Sequence, residues 1–125
     1  MTGRRVKITA GPVTVHASLN ASATAGKLWD ALPVKARAST WGDEIYFSTD
    51  VHDEGDPKAS DVVPLGTVGY WPPGSALCLF FGPTPVSSAG ECRGASPITV
   101  LGLIEGDCKP LKKVPSGAAV TVERA

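Results

Sequence analysis

Residues 70–85 read YWPPGSALCLFFGPTP, and the reading of the fold starts there. An apolar run, residues 76–81, lies between two proline-locked turns, Pro72-Pro73-Gly74 and Gly82-Pro83-Thr84-Pro85, and reads as a buried strand. Four of the eight aromatic residues (Tyr70, Trp71, Phe80 and Phe81) and four of the eleven prolines fall in this stretch. A short strand with rigid turns on both sides and aromatic rings at both mouths suits the rim of a pocket in a small β-barrel. At least one of the four X-Pro bonds in the two turns is expected to be cis, because tight turns and a preceding aromatic raise an otherwise low frequency.

Working outward, other short runs alternate in the same way. Residues 4–9 and 13–19 flank Gly11-Pro12 and predict a hairpin. Ser22 or Thr24 caps a short helix over residues 24–32, with Leu28, Trp29 and Leu32 at helical spacing, and Pro33 stops it. Residues 34–41 and 44–48 are strands around the Gly42-Asp43 turn. Residues 62–64 form an edge piece, since Pro64 has no N–H to give a central ladder. Residues 66–71 pair with 76–81 through the Pro-Pro-Gly turn. Residues 86–96 read as a polar loop, 97–105 as a central strand and 118–123 as the last strand. The sum is an all-β chain, a closed barrel of about eight strands with one short helix over an open end, and residues 1–125 as a single domain.

Composition narrows the function classes. At 125 residues with 42% hydrophobic and 19% charged residues, the chain can build one core without metal or disulfide help. A net charge of zero argues against a nucleic-acid partner. Cys78, Cys92 and Cys108 are odd in number and lack C-x-x-C spacing, which fits a reducing, cytoplasmic setting. No run approaches the roughly 18 apolar residues of a membrane span, so no membrane partner is expected, and the first residues lack a signal-peptide pattern. Seven of the twelve acidic residues fall between Asp43 and Asp61, but their spacing is not a calcium loop, and neither a metal nor a cofactor is expected. His16 and His52 stand at no spacing that suggests a nucleophile triad.

Residues 41–47, WGDEIYF, together with residues 70–85 resemble the small bacterial and archaeal cyclophilin-like proteins of unknown function. The resemblance extends along nearly the whole chain and implies an eight-stranded barrel related to cyclophilin. It implies no established activity. The longer arginine- and histidine-bearing motifs of the prolyl isomerases are not recognisable.

The candidate ligand-binding residues are Trp41, Glu44, Tyr46, Tyr70, Trp71, Phe80, Thr84 and Arg93, with Glu44 the one candidate for catalysis. Glu44 and Tyr46 share a strand face opposite Ile45 and Phe47. With Ile45 and Phe47 in the core, Glu44 points outward. In the reverse register it enters the barrel and needs a partner such as Arg93 or Arg37. Trp41, Tyr70 and Trp71 at strand ends either line a pocket or cap the core. Thr84 is a hydroxyl held between prolines. Arg93 either meets an anionic ligand or pairs with Glu91. These readings lead to a small molecule or short peptide bound in an aromatic-rimmed pocket. The alternatives are a peptidyl-prolyl isomerase, with a cation near the prolyl nitrogen, or a small-molecule hydrolase or isomerase using Glu44 as a base.

Overall fold

The structure, a computed structural model, describes residues 4–125. Arg5–Ala10 (β1) and Val13–Leu19 (β2) form the expected hairpin, register Ile8 to Val15. Their alternation sends Val6, Ile8, Val15 and Ala17 into the core. The helix runs Ala23–Ala31 (α1). Ser22 caps it, its side chain accepting from the Ala25 N–H. Leu28 is buried in the core, whereas Trp29 is only half-buried, packed against the core with the Arg124 guanidinium 4.5 Å from its ring centroid.

The remaining strands are Val34–Arg37 (β3), Ser39–Thr40 (β4), Glu44–Ser48 (β5), Ser60–Val63 (β6), Thr67–Trp71 (β7), Ala76–Phe80 (β8), Cys92–Ile104 (β9) and Ala119–Arg124 (β10). The main path runs β3-β10-β1-β2-β9-β7-β8-β5-β4, and β6 pairs with β9 off that path.

Two expectations about the architecture are corrected. Among the described residues there are ten strands rather than about eight, and the ladder does not close into a barrel. The cause lies at Ala38. The single strand expected over residues 34–41 is split there, because its first half pairs with β10 and its second half with β5. Ala38 itself is tied to neither strand: its N–H donates to the Ala118 carbonyl, and its carbonyl accepts from the Gly117 N–H. The two end strands of the path are therefore joined through one residue, with no ladder between them.

The polar loop expected over residues 86–96 is also shorter than its sequence suggests, for β9 already begins at Cys92. Its first half pairs with β6, where Ser60 faces Ile98 but Val62 faces Arg93. Residues 94–97 form the surplus on the β9 side. A bulge of this kind makes no demand on a ladder N–H, so Pro97 is tolerated inside a strand. The cis expectation is corrected as well: among the described residues the one cis bond is Leu32-Pro33, and the four X-Pro bonds of the two turns are trans.

The strands bury two faces. The inner face carries the main core, with Ile45, Phe47, Val68, Tyr70, Leu77 and Leu79 fully or almost fully buried. The outer face of β8 carries Cys78 and Phe80, which pack with Val63, Cys92 and Ile98 of the β6–β9 arm into a second, smaller cluster. The arm is a flap over the outside of the sheet. No helix among the described residues is long and apolar enough to cross a membrane.

Candidate functional site

The site is assembled on the outer face, at the border of the second cluster. Trp41 and Glu44 close the β4–β5 hairpin: the Trp41 N–H donates to the Glu44 carbonyl at 2.9 Å, and the Glu44 N–H returns to the Trp41 carbonyl at 3.2 Å. Between them Gly42 has φ +60°, the left-handed first position of a two-residue turn. A Cβ on Gly42 would lie 2.9 Å from both Pro85 Cδ and Thr84 Cα, so a side chain there would force the turn away from the 83–85 segment. The Asp43 N–H donates to the Pro83 carbonyl at 2.9 Å, and the Phe81 N–H donates to Asp43 at 3.0 Å. The two tryptophan- and proline-rich motifs are thus locked together through backbone atoms.

Paired residues of neighbouring strands share a face. Glu44 lies opposite Phe80, and Tyr46 lies opposite Cys78, which in turn faces Gly69. Gly69 is bare for a reason: a Cβ there would sit 2.3 Å from Ile98 Cγ2. Ile98 fills the space above Gly69 and brings β9 down as a roof. Trp71, at the end of β7, is anchored to the same arm by its indole N–H, which donates to Ser96 Oγ at 2.6 Å.

These residues enclose a partly open cavity of about 180 Å³, lined by Trp41, Glu44, Tyr46, Trp71, Ala95 and Ile98. Four of the sequence candidates, Trp41, Glu44, Tyr46 and Trp71, meet here. Tyr46 stands at the exposed side, 36% accessible, while Glu44 two residues away is only 5% accessible. Its Oε1 is buried without a hydrogen-bond partner. Burial of the carboxyl raises its pKa from 4.5 to about 7, and a weaker interaction with the Cys78 thiol opposes that rise. The thiol is pushed well up in turn, by burial first and then by Glu44.

The other four candidates lie elsewhere. Tyr70 is fully buried in the main core. Its hydroxyl donates to the Val51 carbonyl at 2.7 Å and accepts from the Asp53 N–H at 3.2 Å. Phe80 is buried in the second cluster below the cavity and does not line it. Thr84 Oγ1 donates to the Arg93 carbonyl at 2.6 Å, which fixes the 84–93 loop. Arg93 is held between Glu91 and Asp61 on the far edge of the flap and is absent from the lining. Sequence reasoning missed Cys78, Ala95, Ile98 and Ser96. The period-two pattern of residues 76–80 puts Cys78 on one face with Phe80, but the pairing of β8 with β5 is long-range and carries no local signal.

A larger cleft of about 530 Å³ opens between the start of α1 and the 53–59 loop. Several of its polar groups already satisfy one another: Thr24 donates to Asp53, Ser22 donates to Asn20, and the Asp56 N–H donates to Thr99, while Lys27 pairs with Asp53 from outside the lining. His52 Nδ1 lies 3.0 Å from Ser75 Oγ, a pair the sequence spacing does not suggest, and both lie outside the 180 Å³ cavity lining. The cavity above Glu44 stands apart because its one carboxyl has an oxygen left without a partner.

Residues 4–123 match the model of the Cyclophilin-like family. The chain belongs to the cyclophilin-like family. A solved structure, the solution structure of the hypothetical protein AF2241 from Archaeoglobus fulgidus, is 42% identical over the full length of both chains, with a TM-score of 0.83. McbB, solved in complex with tryptophan, matches at a TM-score of 0.68 and 16% identity, over 95% of this chain and 44% of McbB. At that identity the likeness is one of fold. No curated protein matches the chain. The cyclophilin-like assignment agrees with the resemblance read from residues 41–47 and 70–85, and it carries no activity with it.

Proposed function

We propose that this cyclophilin-like protein binds a small molecule, or one side chain of a short peptide, in the cavity above Glu44. The observation that carries the reading is a buried carboxyl with an unpartnered oxygen, set among two tryptophans and a tyrosine in a pre-formed hollow. Leaving a buried polar atom unmet costs about 1–3 kcal/mol, and a ligand donor that draws the carboxyl toward the hollow recovers that free energy on binding. Size supports a small ligand. At about 30 Å³ per water, the cavity holds about six waters, well below the hollows of about 300 Å³ and more that take drug-sized molecules.

Glu44 favours a second role on the same ligand. A carboxyl with a pKa near 7 is partly protonated at neutral pH and can both take and return a proton, as a general base or acid requires. The prolyl isomerase alternative lacks support, because the cation it needs near the prolyl nitrogen is not in the lining and Arg93 is engaged with Glu91 and Asp61.

The test is Trp71→Ala. Binding of a co-purified or screened small ligand, followed by native mass spectrometry and by quenching of tryptophan emission, is expected to weaken at least tenfold, while the melting temperature falls by only a few degrees. A loss of binding no larger than the loss of stability explains would end the pocket reading.

A further inference from the structure

We propose that the ligand of this cavity is a small organic cation, a protonated amine whose ammonium group sits at the Glu44 carboxyl and whose hydrocarbon part lies against Trp41, Trp71 and Tyr46. The inference rests on the binding reading above and names the chemical class that the site selects. Four observations lead to it. The wall is made of aromatic rings and aliphatic side chains, except for one carboxyl. That carboxyl makes no ion pair with a cation among the described residues. Arg93, the nearest arginine in sequence to the roof residues, is spent on Glu91 and Asp61, and Lys112 on Asp43. The Glu44 Oε1 atom accepts no hydrogen bond. Finally, the cavity volume suits a molecule of a few heavy atoms rather than an extended chain.

The chemistry follows from the complementarity of these parts. Aromatic rings attract a cation and also give its hydrocarbon portion a dry surface. A carboxylate attracts the same charge and accepts its N–H, and a charge-assisted hydrogen bond of this kind is stronger than a neutral one. The terminal torsion of a glutamate is broad and roughly two-fold, so a half-turn of the carboxyl exchanges its two oxygens and either can be the one nearer the cavity. A neutral ligand would gain the aromatic contacts but not the charge pairing. An anion would be repelled by the carboxylate and would find no cation in the lining.

Binding then has a defined proton balance. The titratable groups that face Glu44 are the Cys78 thiol on β8 and the Tyr46 phenol on its own strand. Trp41 of the hairpin, Trp71 of β7 and Ala95 and Ile98 of the flap bring no charge. Where Glu44 holds its proton, an ammonium can pair with it only after that proton leaves for solvent. Affinity for the cation therefore rises with pH until Glu44 is ionised, and affinity for a neutral molecule of the same shape does not.

The experiment compares cyclohexylammonium with cyclohexanol, equal in heavy-atom count and differing in charge, by calorimetric titration of the full chain. At about pH 8 cyclohexylammonium is expected to bind about tenfold tighter or more. At about pH 5.5 the preference should shrink several-fold, with a proton released on binding that is read from the buffer dependence of the heat. In Glu44→Gln the preference should vanish while cyclohexanol binding persists, which also reports that the variant is folded. Equal binding of the two probes, or a preference that survives in Glu44→Gln, overturns the cation assignment and leaves the cavity a site for neutral ligands. Failure of both probes to bind the folded wild type overturns the binding reading itself for ligands of this size. The pH series on the wild type stands as a separate check if Glu44→Gln does not fold.

Discussion

β5 and β8 present two faces made from the same ten residues, and the two faces are finished differently. Inward, Ile45, Phe47, Leu77 and Leu79 are almost wholly buried, and the one polar group among the inner aromatics, the Tyr70 hydroxyl, both donates and accepts. Outward, Glu44 is buried nearly as deeply but with an oxygen unmet, and the space beside it is left open. Burial is nearly equal, so burial is not what separates a core from a candidate site here. The difference is polar satisfaction: one face is complete in itself and the other is complete only with something added.

That contrast can be broken, first, from the inside. Phe47→Ala empties part of the main core, and urea unfolding should show a loss of about 3–5 kcal/mol. Tyr46→Ala, one position away on the open face, should cost well under half as much. Equal costs would mean that the outer face is packed as a core.

The next effect is the pH dependence of Glu44. Its folded pKa, about 7, lies above the unfolded value of 4.5, so the folded state binds the extra proton. Its contribution is therefore complete below about pH 4.5 and is lost as pH rises to about 7. At about 1.4 kcal/mol per pKa unit the loss is about 3 kcal/mol. Glu105, held near 2 by the hydrogen bond from Arg5, acts with the opposite sign and in a lower window, between about pH 2 and its ordinary value. Between about pH 4.5 and 8 the denaturant midpoint of the wild type should therefore fall relative to that of Glu44→Gln. A constant difference would show that Glu44 keeps an ordinary pKa.

A third test concerns the roof. Gly69→Ala places a methyl group 2.3 Å from Ile98 Cγ2 and should destabilise by about 1–3 kcal/mol. Ile98→Ala removes that Cγ2 methyl, so the double mutant should cost less than the sum of the two single substitutions, and strictly additive costs would mean that the two residues do not meet. The smallest effect is expected from Ser96→Ala. It removes the acceptor of the Trp71 indole N–H, for about 1 kcal/mol of stability, with a larger proportional change in tryptophan emission.

Much of this arrangement was legible in the sequence because it is local. Val13–Leu19 and Glu44–Ser48 begin and end where their alternation says, and Ser22 with Pro33 brackets the helix. The pairing of Ile45 with Phe47 inward was one of two registers the pattern allowed. The burial of Glu44 on the outward face was hidden because both registers assumed a single layer, with the outside of the sheet in water. The flap that covers it depends on β9 changing partners along its length and on a bulge at residues 94–97, and neither has a periodic signature. The same non-local pairing explains why Tyr70 and Phe80, next to the right turns, belong to packed interiors, while Ala95 and Ile98, in or beside what read as a polar loop, line the cavity. Of the two readings open for Arg93, the structure has the pairing with Glu91, and the Thr84 hydroxyl, a candidate ligand contact, is spent on the Arg93 carbonyl.

The single-residue link at Ala38 has a mechanical meaning. Everywhere else along the path, separating two strands breaks a ladder of hydrogen bonds. Between β3 and β4 it breaks no ladder, although β3 and β5 lie close together. A slow expansion of the wall should begin at this line, so amide hydrogens on the unpaired edges of β3 and β4 should exchange with solvent long before those of β1 and β2. The second of those edges runs directly into Trp41, so the compliant line of the wall ends at the mouth of the cavity.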